Sequence, residues 1–230
     1  MQLKIAILGG DGIGPEVIAQ AEKCLQAVED NFGHDFTFTE GLIGASAMEK
    51  MGSPIPEETL ELCRASDAIL FGAIGTEEYD NNPEAKVRPE DGLLYLRKAL
   101  DLFANIRPIK VFPALVHNSP LKKEVISGTD LVIYRELTSG IYYVGKSLSE
   151  DVTVATDLCR YTEKEISRIA HMAFKAAKKR RGKLTLVDKA HVLETSRLWR
   201  KVVTNIAESY PEVEFDCMYI DNASMLMSLN

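Results

Sequence analysis

The sequence has few cysteines, a single tryptophan and no long uninterrupted run of apolar residues. Its four cysteines lie far apart without a C-x-x-C pair, which argues against zinc or disulfide motifs and predicts buried, reduced thiols. No apolar stretch approaches the roughly 20 residues of a membrane span. The N-terminus has only a short apolar run before a glycine-rich turn, whereas a secretory signal needs a longer one and a cleavage site. These absences predict a cytoplasmic protein.

Positive charge is also scarce. The 27 lysines and arginines are outnumbered by 34 aspartates and glutamates, for a net charge of −7, which argues against a nucleic-acid-binding surface. A small acidic substrate remains possible, because its binding depends on local arginines. The 230 residues are otherwise of ordinary globular composition and suffice for one large domain or two modest ones.

Strand-like and helix-like segments alternate along the chain. The predicted strands are residues 4–8, 68–73, 131–136, 184–187 and 213–220. Helices are predicted after Pro15, over residues 92–103, from Thr162 to Gly182 with a capping box at Glu165, and over residues 194–209. Strands separated by helices imply parallel pairing and an α/β fold. Residues 80–89 are typical of a surface loop, and residues 107–113 of a crossing between two domains.

Two segments place reactive groups at the ends of apolar runs. Residues 134–143 read YRELTSGIYY, where Arg135 ends a predicted strand and Tyr142 follows a Ser-Gly turn. Residues 188–195 read DKAHVLET, where Lys189 follows another predicted strand. An arginine, a tyrosine and a lysine are groups that can hold an acidic substrate and move protons on it. In isolation, Lys189 is more typical of a surface residue and Tyr142 of a half-buried aromatic.

Two glycine-rich turns also follow predicted strands. Residues 9–16 read GGDGIGPE, but a dinucleotide-binding fingerprint counted from Gly10 would need a glycine where Pro15 stands. This turn is therefore not a Rossmann fingerprint. The second turn comprises residues 72–75, GAIG. From the sequence alone it is as well explained by a tight turn as by a cofactor loop.

These segments, together with GDGIGPEV at residues 10–17, resemble the metal-dependent β-decarboxylating dehydrogenases, and within them the 3-isopropylmalate dehydrogenases. The resemblance implies the two-domain α/β fold of isocitrate and isopropylmalate dehydrogenases, with non-Rossmann cofactor binding. Residues 1–107 would begin the cofactor and substrate domain, and residues 108–230 would form an incomplete second domain with a dimerisation segment. The family's pattern continues beyond Asn230, so the C-terminal part of the first domain is expected to be absent and the isolated chain to have little or no activity.

The resemblance implies NAD-dependent oxidative decarboxylation of 3-isopropylmalate in leucine biosynthesis. Arg97, Arg107 and Arg135 match the arginines that grip the malate carboxylates, in a two-point geometry that lysine cannot reproduce. Leu93 matches the residue that contacts the γ-substituent, with Glu90 nearby, and a leucine suits an isopropyl group. From periodicity alone, Leu93 would be a core residue.

The resemblance also assigns the proton-transfer, metal and cofactor residues. Tyr142 matches the family's acid, Lys189 its base-side lysine, and Asp221 one aspartate of a Mg²⁺ or Mn²⁺ site whose other aspartates lie on a later segment. The lysine and this aspartate normally serve the neighbouring subunit, which implies a homodimer. Positions matching the cofactor-binding residues are Gly72, Ala73, Ile74, Gly75 and His191.

Two positions depart from the family's pattern. Ser139 stands where a glycine is usual before Gly140, which would cost stability if that position needs a positive φ. His191 replaces the asparagine that faces the nicotinamide, so cofactor binding could be altered; a histidine hydrogen-bonded within the fold is an equally good interpretation. Two other functions stay open. One is a relative acting on another 3-substituted malate, such as tartrate or homoisocitrate, and the other is a catalytically inactive chain that only dimerises.

Overall fold

The computed structural model describes residues 1–82 and 85–229, and the chain divides into two compact units, Met1–Asp101 and Leu102–Asn230. The assignment of residues 1–107 to a cofactor and substrate domain and of residues 108–230 to a second domain stays a prediction. Among the described residues, no helix combines the length and the apolar character that crossing a bilayer would require.

The first unit is built on a three-stranded parallel sheet with the strand order β2-β1-β3. Its strands are β1 (Gln2–Gly10), β2 (Asp35–Glu40) and β3 (Ala68–Ala73). Helix α1 (Gly14–Phe32) connects β1 to β2, with Pro15 in its first turn and Gly33 in the left-handed conformation after its end. The predicted parallel α/β arrangement is therefore confirmed for this unit.

Both faces of the central strand β1 are covered, as expected for a parallel sheet. The remaining helices of the unit are α2 (Ala45–Met51), α3 (Glu57–Arg64), α4 (Glu77–Asp80) and α5 (Pro89–Ala99). On one face, Ile5 and Ile7 of β1 pack with Ile18 of α1. The cluster under α3 and α5 contains Ala6, Leu8, Ile43, Leu60, Cys63 and Leu96.

Helix α5 begins three residues earlier than predicted. Arg88 is its N-cap, and the backbone N–H of Arg88 donates to the Asp91 carboxylate at 2.8 Å. Pro89 occupies the first helical position, where its missing N–H costs nothing. The predicted loop at residues 80–89 is reduced to the segment between α4 and α5, of which residues 83 and 84 lie outside the described part of the chain.

The second unit contains three pairs of strands, and two of these pairs are antiparallel. They are β4 (Ala104–Lys110) with β5 (Asp130–Glu136), β6 (Gly145–Leu148) with β7 (Ala155–Leu158), and the parallel β8 (Lys183–Asp188) with β9 (Glu214–Tyr219). The predicted parallel pairing is therefore confirmed for β8 with β9 and wrong for β5, which pairs antiparallel with β4.

The predicted crossing between domains at residues 107–113 begins in a strand, and the crossing itself stays a prediction. Arg107 and Pro108 lie inside β4, opposite Ile133 and Val132 of β5. A residue before proline has an extended backbone, which a strand provides as well as a linker does. Proline fits here because β4 has β5 as its single partner among the described strands, so no second ladder needs its N–H.

Four helices belong to the described part of the second unit. They are α6 (Lys123–Ile126), α7 (Glu163–Lys178), α8 (Glu194–Ala207) and α9 (Ile220–Leu229). Two of them, α7 and α8, supply most of its main core. The buried cluster contains Ile166, Ala170, Phe174, Ala177, Val202, Val203 and Val213. The predicted strand at 213–220 ends at Tyr219, because Ile220 already begins α9.

The predicted capping box at the start of α7 is confirmed. The N–H of Glu165 donates to Thr162 Oγ1 at 3.3 Å, and the N–H of Thr162 donates to Glu165 Oε2 at 2.7 Å. At the other end, Gly182 is left-handed and its N–H donates to the carbonyl of Ala177 at 3.0 Å. The capping box therefore sets the start of this helix, whereas the helix ends at Lys178, four residues before the predicted end at Gly182.

The prediction of buried thiols is right for one cysteine only. Cys63 is buried on α3, and burial raises the pKa of its thiol. Cys24, Cys159 and Cys217 are exposed, because they occupy solvent-facing positions that sequence spacing does not identify.

We expect the substitution Thr162→Ala to lower the free energy of unfolding by about 1 kcal/mol, because it removes the side-chain acceptor of the α7 capping box. Thr204→Ala is the matched control, since Thr204 is exposed inside α8, where alanine has the higher helix propensity. Chemical denaturation of both variants measures the difference. An equal effect of the two substitutions would contradict the role given to the cap.

Candidate functional site

In the first unit, the buried carboxylate of Asp11 joins three backbone segments. Asp11 lies in the turn after β1 and accepts hydrogen bonds from the N–H groups of Ala45 at 2.9 Å, Ser46 at 3.0 Å and Gly75 at 3.1 Å. The first two donors belong to the first turn of α2, where a negative charge is favoured, and the third belongs to the loop after β3. One side chain thus fixes the geometry of the predicted cofactor loop.

The two glycine-rich turns pack directly against each other. A Cβ on Gly10 would lie 1.9 Å from the carbonyl oxygen of Ala73, and Gly10 has a φ of +73°. A Cβ on Gly72 would lie 2.2 Å from the carbonyl oxygen of Gly9. Close backbone approach therefore accounts for these glycines, and the binding of a cofactor by residues 72–75 stays a prediction.

The loop after β3 lies beside the predicted substrate residues of α5. A Cβ on Gly75, whose φ is +109°, would lie 2.7 Å from Glu90 Oε1. Glu90, Leu93 and Arg97 follow one another at helical spacings of three and four, so they share one face of α5, and all three are half-buried. The structure thus brings Gly75, Glu90, Leu93 and Arg97 into one region of the first unit.

In the second unit, strand register places two predicted arginines on one face of the β4–β5 pair. Asn105 lies opposite Arg135, and Arg107 follows Asn105 two positions along β4, so all three side chains share a face. Arg107 Nε donates to Asn105 Oδ1 at 2.6 Å. Both arginines are exposed, and the guanidinium carbon of Arg135 lies 5.8 Å from the ring centre of Tyr142. Two cations and a phenol therefore meet on one solvent-facing surface.

The turn before Tyr142 explains why serine is tolerated at position 139. Ser139 has a φ of −138°, an extended conformation open to any residue, so the expected cost of a positive φ does not arise there. The positive φ falls on Gly140, at +84°. A Cβ on Gly140 would also lie 2.3 Å from the Tyr161 hydroxyl oxygen. Glycine is required at position 140 and not at position 139.

A second group forms where the parallel strands β8 and β9 end. Asp188 pairs with Tyr219 in register, so the segments that follow the two strands emerge together. Lys189 Nζ donates to Asp221 Oδ2 in the first turn of α9, which joins the predicted base to the predicted metal ligand. The hydrogen bond from Lys189 lowers the pKa of Asp221, and the nearby charges of Lys189 and His191 lower it further.

His191 belongs to an aromatic group beside this ion pair. Its ring centre lies 4.4 Å from that of Tyr219, edge to face at 67°, and the side chain is exposed. On its other side, Tyr219 lies 4.9 Å from the guanidinium carbon of Arg200. A cofactor role for His191 stays a prediction.

Sequence reasoning missed the ion pair that supports Lys189. Asp188 is buried, and both of its oxygens accept hydrogen bonds from Arg200 at 2.8 Å, while Oδ1 also accepts the N–H of Ala190 at 3.0 Å. The bond to Asp188 raises the pKa of Arg200. The sequence indicated this pair only by an acidic residue at the end of an apolar strand. It did not identify the partner, because Arg200 is twelve positions away on α8.

The metal prediction rests on Asp221 alone. Within residues 1–82 and 85–229, no three His, Cys, Asp or Glu side chains converge into a possible metal site. Hard divalent cations need several oxygen ligands. The described residues therefore do not form a complete site for Mg²⁺ or Mn²⁺, although the carboxylate of Asp221 is of the right chemistry for one ligand.

Comparison with known proteins identifies the family. Residues 4–229 match the family model described as isocitrate/isopropylmalate dehydrogenase. The chain belongs to this family. A 3-isopropylmalate dehydrogenase of Aquifex aeolicus is 53% identical over 225 residues, which cover 96% of this chain and 62% of the relative. That of Bacillus subtilis is 49% identical over 229 residues, which cover 98% of this chain and 62% of the relative.

Solved structures of the isocitrate/isopropylmalate dehydrogenase family confirm the predicted fold class. An isocitrate dehydrogenase from Methylococcus capsulatus superposes with a TM-score of 0.84 at 33% identity, covering 97% of this chain and 62% of that one. A β-decarboxylating dehydrogenase from Thermococcus kodakarensis gives a TM-score of 0.71 at 33% identity, covering 99% and 60%. The chain thus spans about 62% of the length of the curated relatives described above.

The Lys189–Asp221 contact gives a direct titration test. Because Lys189 lowers the pKa of Asp221, that carboxylate should protonate at a lower pH than an ordinary aspartate, and Lys189→Met should move its pKa upward. Carboxyl-carbon NMR during a pH titration measures both values. Lys178→Met is the matched control, because Lys178 lowers the pKa of Glu212 and should affect that residue only. An ordinary Asp221 pKa that neither substitution moves would refute the pairing.

Proposed function

We propose that the protein carrying this chain catalyses the NAD-dependent oxidative decarboxylation of 3-isopropylmalate in leucine biosynthesis. The observation that carries the proposal is the β4–β5 face, where register groups Arg107 and Arg135 beside Tyr142. The names and identities of the 3-isopropylmalate dehydrogenases from Aquifex aeolicus and Bacillus subtilis support it further. This surface is suited to bind an acidic substrate and to donate a proton to it.

The arginines bind the carboxylates of the malate in this proposal. Arg107 and Arg135 are exposed on one face, and each guanidinium can offer two parallel N–H donors to a carboxylate. The hydrogen bond from Arg107 to Asn105 leaves other guanidinium donors of Arg107 for the substrate. In the first unit, described by itself, Arg97 and Leu93 on one face of α5 are the proposed carboxylate-binding and isopropyl-contacting residues.

Two side chains move protons in the proposed reaction. Lys189, once deprotonated, takes the proton of the substrate hydroxyl as the hydride leaves the same carbon. NAD, when bound, would supply the hydride acceptor. Loss of CO₂ from the oxidised intermediate leaves an enol, and the hydroxyl of Tyr142 protonates its carbon. Binding by Arg135 next to Tyr142 brings the substrate to the proton donor.

Two contacts support the proposed position of Lys189. Asp221 holds Lys189 Nζ in place, and Asp188 with Arg200 holds the strand end from which the lysine extends. His191 in the second unit and residues 72–75 in the first unit are each proposed to contribute to cofactor binding. Asp221 would supply one oxygen to Mg²⁺ or Mn²⁺, and no step is assigned to the metal because the described residues do not complete its site.

Turnover of 3-isopropylmalate by the whole protein tests the proposal. We expect NADH to form with 3-isopropylmalate, NAD and Mg²⁺, and Arg135→Lys to lower kcat/KM by about tenfold or more, because lysine cannot form the two-point contact. Arg197→Lys is the control, since Arg197 forms an exposed pair with Glu194 on α8 and should leave kcat/KM unchanged.

Two results of this assay would overturn the proposal. Higher kcat/KM with tartrate or homoisocitrate would assign the protein to another 3-substituted malate. Absence of turnover with every substrate, in a protein whose mass and fold are verified, would favour a catalytically inactive chain that only dimerises.

A homodimer is the second part of the proposal, and the β6–β7 hairpin supports it. All eight paired residues of the hairpin are exposed. Register places Leu148 and Leu158 on opposite faces, so both faces carry an exposed leucine. Two-stranded hairpins are marginally stable alone, and exposed apolar patches mark interaction sites. A second copy of the chain would cover these faces.

Paired substitutions at this hairpin test the dimer. We expect Leu148→Asp with Leu158→Asp to convert a dimer into a monomer, because charges would be buried on both faces. Light scattering after size-exclusion chromatography measures the mass. Leu115→Asp is the control, since Leu115 is exposed on a 3₁₀ helix elsewhere in the unit. A monomeric wild-type protein, or a dimer that survives the paired substitution, would contradict the assignment.

A further inference from the structure

Glu136 is the most thoroughly hydrogen-bonded carboxylate next to the proposed site. It is the last residue of β5, and its side chain is only 1% exposed. Oε2 accepts the N–H groups of Thr138 at 3.0 Å and Ser139 at 2.8 Å. Oε1 accepts the Thr138 hydroxyl at 3.1 Å and Arg168 Nη2 at 2.6 Å. A buried carboxylate is stable here because four donors surround it.

The donors of Glu136 belong to the turn that links the substrate arginine to the proton donor. Between β5 and the 3₁₀ helix of Tyr142, the chain runs through residues 137–140, and each N–H has an acceptor. Leu137 donates to the carbonyl of Phe103 at 2.8 Å, and Gly140 to the carbonyl of Arg160 at 3.0 Å. The two middle N–H groups are the ones that donate to Glu136. One side chain therefore sets the conformation at the centre of this turn.

Two consecutive residues of β5 point to opposite faces of the strand pair. Arg135 points to the exposed face that it shares with Arg107, and Glu136 points to the buried side. Arg168 connects Glu136 to α7, donates also to Thr138 Oγ1 at 2.6 Å, and stacks its guanidinium 4.5 Å from the ring centre of Phe103. The turn is thus attached to the packed interior of the unit and not to the strand alone.

We propose that Glu136 is a positioning residue for the reaction, which fixes the turn that sets Tyr142 against Arg135. This inference rests on the proposed function for its kinetic consequence, but its geometric content does not depend on the substrate. Loss of the carboxylate would leave two N–H groups and Arg168 short of an acceptor. Tyr142 would then lose its set distance from Arg135, and small displacements of catalytic groups lower rates strongly.

A double-mutant cycle separates positioning from general structural damage. We expect Glu136→Gln, which keeps the shape and removes the charge, to lower kcat for 3-isopropylmalate by about tenfold or more, with a much smaller change in KM. In a Tyr142→Phe background the same substitution should cost less than about threefold, because the positioned hydroxyl is already gone. Equal losses in both backgrounds, or an unchanged kcat, would overturn the proposal.

The matched control lies at the other end of the same strand. Asp130 begins β5 and accepts a hydrogen bond from Arg180, just after the end of α7, at 2.7 Å. Asp130→Asn therefore also removes a carboxylate that pairs β5 with an arginine, but at a distance from Tyr142 and in an exposed position. We expect kcat and KM of this variant to equal those of the unaltered protein.

Fluorine NMR tests the geometry without any turnover. With 3-fluorotyrosine incorporated in the whole protein, Tyr142→Phe identifies the signal of Tyr142. Glu136→Gln should shift and broaden this signal, Thr138→Val should do so more weakly, and Asp130→Asn should leave it unchanged. A Tyr142 signal unaffected by both Glu136→Gln and Thr138→Val would overturn the positioning role. If the unaltered protein does not oxidise 3-isopropylmalate, the proposed function fails, while this measurement still decides the role of Glu136.

Discussion

A buried carboxylate must be surrounded by hydrogen-bond donors, and three strands of this protein end at such a group. Asp11 follows β1, Glu136 ends β5 and Asp188 ends β8, and each accepts at least one backbone N–H from the segment that comes next or packs nearby. Leaving such donors unpaired costs roughly 1–3 kcal/mol for each group. The loops after these strands are therefore held in single conformations by charges inside the fold.

The proposed functional groups are presented by these fixed loops. Gly75 is bound to Asp11, Tyr142 follows the turn bound to Glu136, and Lys189 follows Asp188 directly. In the last two cases the reactive residue is partly exposed while its supporting carboxylate is buried and paired with an arginine from a helix. Helices α7 and α8 thus contribute to the site by holding the strand ends in place.

Sequence patterns predicted the local features well, because short-range chemistry determines them. The capping box at Thr162 and the strand that ends in Arg135 and Glu136 were both readable from neighbouring residues. The position of Arg107 in a strand was not, since Arg-Pro suits any extended backbone and its pairing with β5 is a long-range contact. The antiparallel direction of β5 was missed for the same reason.

The family resemblance selected the candidate residues, whereas the supporting pairs could not be read from the sequence. Glu136 and Arg168 are separated by 32 positions, and Asp188 and Arg200 by 12. No periodicity links such partners, because each joins a strand end to a separate helix. The exposure of Cys24, Cys159 and Cys217 could not be predicted from the sequence either. Composition gives the average burial of cysteine and not the position of a particular cysteine on a helix or strand.

A crystal structure of the whole protein with 3-isopropylmalate bound tests the central claim most directly. The account predicts that carboxylate oxygens lie within hydrogen-bond distance of Arg107 and Arg135, on the β4–β5 face, with the Tyr142 hydroxyl beside the substrate. A substrate bound away from that face, with both arginines pointing into solvent, would contradict it.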